Sequence, residues 1–371
     1  MAGTTVAVHR DAQQVAALLN LPEIGRLISD LQETRWTGRP GYPIRTMVGA
    51  ALTKAIYSLP TWTRTARLIG EHAALQEAIG GAPSVYACYR FAVKLRDHGD
   101  ALDRCLTGVL ASVRDRVPEM GKNIAIDGSD LPAYANGMRH LANGQLRDHY
   151  SDTDASWGHR SAISTRKGGG FYGFKVHAAV CTTTGLPLAW RVRTASESEY
   201  ENVDPLLDGV LGRGFAPDTC AMDKGYDGSL VYKACEDRAI HPVIPLKLTV
   251  NVFHGKHKPP TCEHGMWTFA GADNKRKAGK WRCPTGACTP ASVWIKADRL
   301  HTLIPRETHR WRSLYAHRVM VERSFGELKH EWSMLPLRVR GRDRVQLHVD
   351  LTILARLGHA LLKAEAVSVA A

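Results

Sequence analysis

Tyr315, Arg318, Glu322 and Lys329 stand at offsets of 0, 3, 7 and 14 in the run YAHRVMVERSFGELK, the spacing at which one face of a single helix would carry all four. A core-facing helix puts apolar residues at such positions, whereas this face would carry a carboxylate between two cations. Two further carboxylates lie far upstream: Asp127 in NIAIDGSD and Asp223 in TCAMDKGYDG. Each is expected at the end of a short apolar strand, where the chain turns away and leaves the acid at the sheet's edge. Carboxylate oxygens suit a hard ion such as Mg²⁺. Two such ions about 3.5 to 4 Å apart can steady both the attacking and the leaving oxygen of an in-line displacement at phosphorus. Cysteine and histidine are not needed for that chemistry.

The charge balance points to the same class of substrate. A formal net charge of +13 over 371 residues calls for a polyanionic partner, nucleic acid before a membrane surface. The opening run MAGTTVAVHRDAQQ lacks an apolar signal region, and no stretch approaches the roughly 20 apolar residues of a spanning helix. A cytoplasmic protein is therefore expected, with eight cysteines that read as free thiols or metal ligands and not as a disulfide framework.

The elements that must position these acids fall into four stretches. Residues 1–118 carry helix-type apolar spacing cut by Pro and Gly, as in DAQQVAALLN and TMVGAALTKAIYSLP. Residues 119–246 switch to strands: IAID, then YGFKVHAAVC and LPLAWRVR joined by a TTTG turn. VDPLLDGVLGRG, DTCAMD, GSLVYKACEDR and HPVIPL then alternate helix and strand, which predicts an α/β fold with a mixed sheet covered by helices. Residues 247–312 read as an irregular basic insertion containing Cys262, His264, Cys283 and Cys288. Residues 313–371 hold the Glu322 helix and a second amphipathic helix, LRVRGRDRVQLHVDLTILARLGHALLKA, interrupted by Asp350, Arg356 and His359.

Asp127 in IAIDGS, Asp223 in DKGYDG, and Tyr315-x2-Arg318-x3-Glu322-x6-Lys329 resemble the three signature blocks of bacterial insertion-sequence transposases of the DDE, RNase H-like class, the last being the Y-R-E-K signature. YGFKVHAAVCTTTGLPLAWRV resembles the second and third strands of that fold, and GRPGYPIRTMVGAALTKAIYSL the helical domain that precedes it. The resemblance implies an RNase H-like catalytic core in two parts, 119–246 and 313–371, after an N-terminal DNA-end-binding domain. It implies that Asp127 bridges two Mg²⁺ ions, with Mn²⁺ able to substitute, while Asp223 and Glu322 each complete one site. Lys329 would then reach a DNA phosphate, and Arg318 a phosphate or the Glu322 carboxylate. The partners implied are double-stranded DNA, as terminal inverted repeats and as target, and a second copy of the chain in a dimer or larger assembly. The setting implied is a bacterial cytoplasm, at the nucleoid when bound.

Each residue also has a plainer role open to it. A single aspartate after a strand is usually a turn or cap residue, and Asp130 and Asp227 are read that way. Arg318, Glu322 and Lys329 could form an ordinary solvated face, and His177 in FKVHAA is read as a strand residue near the site. Cys262-x-His264 and Cys283-x4-Cys288 could hold a tetrahedral structural Zn²⁺, with free thiols in a basic loop as the alternative. Trp267, Trp281, Trp294 and Trp311 could stack on bases among KHKPP, NKRKAGKWR and PRETHRWR, or build a small core. Thr61 to Lys94 is compatible with two helical segments joined through Gly80, Gly81 and Pro83 as a helix-turn-helix.

These readings predict a DNA transposase. A metal-dependent nuclease that does not join strands is one alternative, and a non-catalytic zinc-containing DNA-binding regulator another. If the insertion binds phosphate, replacing Lys275, Arg276 and Lys277 together weakens DNA binding and flattens its salt dependence, by about 0.9 in log–log slope for each phosphate no longer neutralised. An unchanged slope in a binding titration removes that role.

Overall fold

A computed structural model describes residues 10–34, 41–141, 143–160, 167–247 and 258–370, with side chains to 367. The run MAGTTVAVH, Gly38 to Pro40, and Lys256 and His257 of KHKPP lie outside the described residues. The first part is helical: α1 (Arg10–Leu19), α2 (Pro22–Glu33), α3 (Ile44–Ile56), α4 (Trp62–Glu71), α5 (Ala73–Ile79), α6 (Val85–Asp97) and α7 (Gly99–Arg116). Apolar residues at helical spacing, such as Ile24, Leu27, Ile28 and Leu31 in α2, set the inward faces. Thr61 caps α4 by accepting the Arg64 N–H, and Ser84 caps α6 by accepting that of Ala87. α3 is buried nearly all round and sits at the centre of the bundle. Thr61 to Lys94 thus spans three helices and not two, because the chain breaks at His72 as well as at Gly80, which adopts φ 81°.

The sheet follows with β1 (Asn123–Pro132), β2 (Ser156–Arg160), β3 (Gly169–Cys181) and β4 (Pro187–Thr194), then α8 (Val203–Gly212), β5 (Thr219–Ala221), α9 (Ser229–Glu236) and β6 (His241–Val243). β3 is antiparallel to β1 on one side; on the other its first half pairs with β2 and its second half with β4. β1 pairs in parallel with β5, and β5 with β6; the first connection runs through β2, β3, β4 and α8, and the second through α9. The result is the mixed sheet expected, lengthened by β2, which had no strong alternation to announce it.

The insertion is more regular than its composition suggested. After the hairpin of β7 (Thr261–Cys262) and β8 (Gly265–Met266), β9 (Thr268–Asp273), β10 (Ala278–Arg282) and β11 (Ser292–Lys296) form a three-stranded antiparallel sheet. Trp267 and Trp281 are buried in its small core, while Trp294 stays 44% exposed. Trp311 belongs to the main core. Aromatic burial, invisible to charge counting, organises this segment.

The chain ends with α10 (His309–Ala316), α11 (Val319–His330) and α12 (Arg342–Ala370). α12 starts five residues later than its apolar pattern predicted, after Gly341 at φ 85°. It runs back along α1, α3, α6, α7 and β4, so helices and sheet share one buried apolar cluster. Its polar interruptions are ties: Asp350 accepts from Trp190 Nε1 at 2.7 Å, Arg356 pairs with Glu327 at 2.9 Å, and His359 Nδ1 lies 2.6 Å from Gln14 Nε2. Among the described residues, no helix is long and apolar enough to cross a membrane.

Asp227 anchors the insertion and is no turn cap of the ordinary kind. Its buried carboxylate takes two bonds from Arg299, at 2.8 and 2.7 Å, one from the Lys247 N–H at 2.7 Å, and one from the Tyr232 hydroxyl at 3.2 Å. Both ends of the insertion therefore meet on one side chain. Asp227→Ala removes the shared acceptor of all four bonds from a buried position and should cost about 1 to 3 kcal/mol in denaturant unfolding, whereas Arg67→Ala, at an exposed i,i+4 pair, should leave the unfolding midpoint where it is.

Candidate active site

The parallel register of β1 with β5 runs from Asn123 opposite Thr219 to Ala125 opposite Ala221 and then stops. Asp127 and Asp223 each stand two residues past that last pair, so the same backbone spacing brings them level at one sheet edge. Asp127 is not at a strand end, as its sequence context suggested. β1 continues to Pro132 against β3, with Asp127 opposite Ala178, and it is the ending of β5 that uncovers the carboxylate. Asp223 does stand at a turn: its Oδ1 accepts the Gly225 N–H at 2.6 Å, capping a short 3₁₀ turn over Lys224–Tyr226. A Cβ on Gly225 would lie 2.7 Å from that oxygen, so a larger residue there would push the Asp223 carboxylate aside.

Glu322 approaches on α11, which packs on β1 and β3 through Val321, Ser324, Phe325 and Leu328. Tyr315 is not on the same helix. It lies on α10, anchored by Trp311 toward β5 and β6, and between the two anchorages the bonding drops to i+3, with Arg318 N–H to Tyr315 O at 3.0 Å. The polar stripe nevertheless survives the break. Arg318 donates to Glu322 Oε1 at 2.5 Å and lies 3.4 Å from Asp127 Oδ2, with its guanidinium carbon 5.9 Å from the Tyr315 ring centroid. Tyr315 in turn stacks on Trp311 at 4.9 Å. Lys329, mostly buried, is 3.8 Å from Asp130, which Arg160 also contacts at 3.2 Å. Asp130 is thus a strand residue with two cationic partners and not a cap.

Burial is the chief force on Asp127 and raises its carboxyl from 3.8 to about 7. The Gly128 N–H, 2.8 Å from Oδ1, pulls the other way; Asp223 and Glu199 raise it further and Arg318 lowers it. Two polar groups beside Asp127 are buried with no hydrogen-bond partner among the described residues: both ring nitrogens of His177 and the hydroxyl of Tyr226. His177 is a β3 residue opposite Gly128, and its desolvated ring is pushed down to about 3, hence neutral. A Cβ at Gly128 would come within 2.9 Å of its Nδ1.

The family model described as Transposase DDE domain matches residues 120–357, well over half the chain. The chain belongs to the DDE transposase domain family. A solved structure, the piggyBac transposase synaptic complex with hairpin DNA, is similar at a TM-score of 0.40 and 9% identity over 96% of this chain and 76% of that one, too distant to bear on the site. No curated protein sequence matches.

In this transposase domain, Glu199 and Lys175 escaped the sequence reading. Glu199 Oε1 accepts from Lys175 at 2.8 Å and would lie 3.7 Å from a Cβ at Gly128. The acidic run SESEYEN directly after β4 was the available signal. The four residues proposed for zinc divide. The sulfurs of Cys262, Cys283 and Cys288 all lie within 4.8 Å of one another, but His264, at the turn between β7 and β8, is outside that group with Nε2 3.4 Å from Glu263.

Donor chemistry fits Mg²⁺, since Asp127, Asp223 and Glu322 offer carboxylate oxygens; among the described residues it is the three cysteines, and not these acids, whose ligand atoms lie within 4.8 Å of one another. The raised pKa of Asp127 gives two pH effects. The folded chain keeps a proton there that the unfolded chain releases near 3.8, so ionising Asp127 costs stability as pH climbs from that value to about 7. Asp127→Asn should then stabilise the metal-free protein at pH 8 by about 1 to 3 kcal/mol. Conversely, Mg²⁺ requires the ionised carboxylate, so the rise in Tm it produces should be larger at pH 8 than at pH 6 and absent in the Asn variant. Thermal unfolding with and without Mg²⁺ checks both; a pH-independent Mg²⁺ shift would contradict the assignment.

Proposed function

We propose that this chain is a DNA transposase that binds the terminal inverted repeats of an insertion sequence, cleaves DNA strands there and joins the 3′ ends to target DNA. The observation that supports it most is the level placement of Asp127 and Asp223 past the end of the β1–β5 pairing, with Glu322 tied to Asp127 through Arg318. Asp127, Asp223 and Glu322 would hold two Mg²⁺ ions. When bound, these supply Lewis-acid stabilisation to the attacking and leaving oxygens of phosphoryl transfer.

The chain's own residues do the rest. Arg318 holds Asp127 and Glu322 together as a counter-charge, and its guanidinium, a planar fork that can bind two oxygens, would be the group on hand for a DNA phosphate. Lys329 and Arg160, balanced on Asp130, present positive charge beside β1. Tyr315, fixed by its stack on Trp311, limits where Arg318 can turn. Neutral His177 and the Tyr226 hydroxyl line the buried side of Asp127 and keep bulk water from it.

End recognition falls to the N-terminal helices. α6 exposes Tyr86 (71%), Tyr89 (48%) and Val93 (45%) along one face, with the Arg90 guanidinium 5.1 Å from the Tyr86 ring centroid. An exposed aromatic and basic stripe of that kind suits a DNA groove better than solvent. In the insertion, Trp294 lies 5.6 Å from both Arg276 and Lys280, a second surface able to meet a strand. Engaging two element ends calls for a dimer or larger assembly on DNA.

Strand cleavage and joining on a duplex carrying the element's ends, with Mg²⁺ or Mn²⁺, tests the reading. Asp127→Asn, Asp223→Asn and Glu322→Gln should each reduce both steps by roughly 10³-fold or more while end binding persists. Cleavage without joining by the wild type would indicate a nuclease. Binding without cleavage would indicate a regulator.

A further inference from the structure

The insertion has a core of its own, apart from the main one: Trp267, Trp281 and Cys283 are buried, with Cys262, Phe269, Cys288, Val293 and Ile295 partly so. That is little apolar area for three strands and a hairpin, and small units of this kind usually need a disulfide or a metal to hold their shape. No disulfide supplies it, since every cysteine is a free thiol.

The cysteines converge from three places. Cys262 ends β7, Cys283 follows β10, and Cys288 closes the loop CPTGAC before β11. Cys262 Sγ and Cys283 Sγ are 3.8 Å apart. A disulfide would need about 2.05 Å, whereas four bonds of about 2.3 Å to a tetrahedral zinc give sulfur–sulfur edges of about 3.8 Å. The third sulfur lies within 4.8 Å of both. The Thr285 hydroxyl is 3.4 Å from Cys283 Sγ, and the backbone N–H groups of Cys288 and Thr285 also turn to it. Beside Cys262, the two-residue turn of the β7–β8 hairpin carries His264, with its side chain 29% exposed.

We propose that Cys262, Cys283 and Cys288 bind a structural Zn²⁺ that staples the insertion, and that His264 completes the tetrahedron by turning from Glu263 onto the ion. Binding releases the thiol protons to solvent and changes no oxidation state. Four protein ligands leave no place for a reacting water, so the ion is separate from the phosphoryl-transfer site. Its role is to fix the strands that carry Trp294 and Lys280 and the β9–β10 turn that carries Arg276.

Metal analysis of the full chain tests this independently of any DNA reaction. The purified protein should contain about one zinc per chain, released by a strong chelator and counted with a metallochromic dye. Removal should speed proteolysis within 258–296 and leave the sheet's circular dichroism in place. Refilling with Co²⁺ should give the visible bands of a tetrahedral site and a near-ultraviolet thiolate-to-cobalt band. Cys288→Ser should weaken the thiolate band, and His264→Ala should keep it while shifting the visible bands. A chain that takes up neither metal, or whose Co²⁺ spectrum is octahedral, overturns the site. A His264→Ala spectrum identical to wild type overturns the assignment of the fourth ligand. Because the chelator experiment uses the wild-type chain, a variant that fails to fold does not obscure the answer.

Discussion

Like charges cannot be gathered at one sheet edge without a counter-charge, and Arg318 provides it. Its guanidinium touches Asp127 from β1 and Glu322 from α11, two segments nearly two hundred residues apart, and so joins the helix to the strand it must serve. Exposed ion pairs contribute little to stability, but Arg318 is only 19% exposed, where screening is weaker and removal of a partner is felt more. Charge balance continues outward from it: Lys329 and Arg160 on Asp130, and Lys175 on Glu199. The site is a lattice of alternating charge, and burial opposes the charge of Asp127 within it, a tension that raises that carboxyl to about 7.

That tension needs a rigid support, and α12 supplies much of it. A 29-residue helix crossing from the sheet to the N-terminal bundle would be expected to be apolar along its buried face, yet it carries Asp350, Arg356 and His359. Each is matched by a partner on a different element: Trp190 on β4, Glu327 on α11 and Gln14 on α1. Gln346 adds a bond to the Val192 N–H at 2.7 Å. Apolar contact alone tolerates sliding of one helix past another, whereas directional bonds at intervals fix the register. The Glu327 tie matters most for the site, because it stands between Glu322 and Lys329 on the helix that carries both.

Much of this was legible from residue types. Asp127, Asp223 and the Tyr315-to-Lys329 spacing stood out because three acids and two cations at those intervals have no use in a core, and the alternation of strands and helices between 119 and 246 followed from period-2 and period-3.6 patterns. The break between α10 and α11 was not legible, since Tyr315 and Arg318 keep helical spacing and only the separate anchoring of Trp311 and Val321 forces the kink. Nor was the course of β1 beyond Asp127, where DGSD reads as a turn but tertiary pairing with β3 overrides the propensity. The insertion's sheet was hidden by Gly and Lys in strands held by two buried tryptophans. The separation of His264 from the three cysteines, with its ring beside Glu263 instead, is something about which spacing says nothing.

The placement of the insertion follows from the same economy of anchors. Only the three residues of the 3₁₀ turn Lys224–Tyr226 separate Asp223 from Asp227. At its first end the turn is bonded to the Asp223 carboxylate through Gly225; at its second, Asp227 grips Lys247 and Arg299 on either side of the insertion. Tyr226 is buried between, and the Tyr200 hydroxyl bonds the Gly225 carbonyl at 2.5 Å. A turn held at so many points has little freedom of its own, so a displacement of the insertion's base is carried to the carboxylate of Asp223 instead of being absorbed. The insertion and the sheet edge are therefore mechanically one unit, and the strand ends that flank the insertion are set by the same residues that aim the second aspartate.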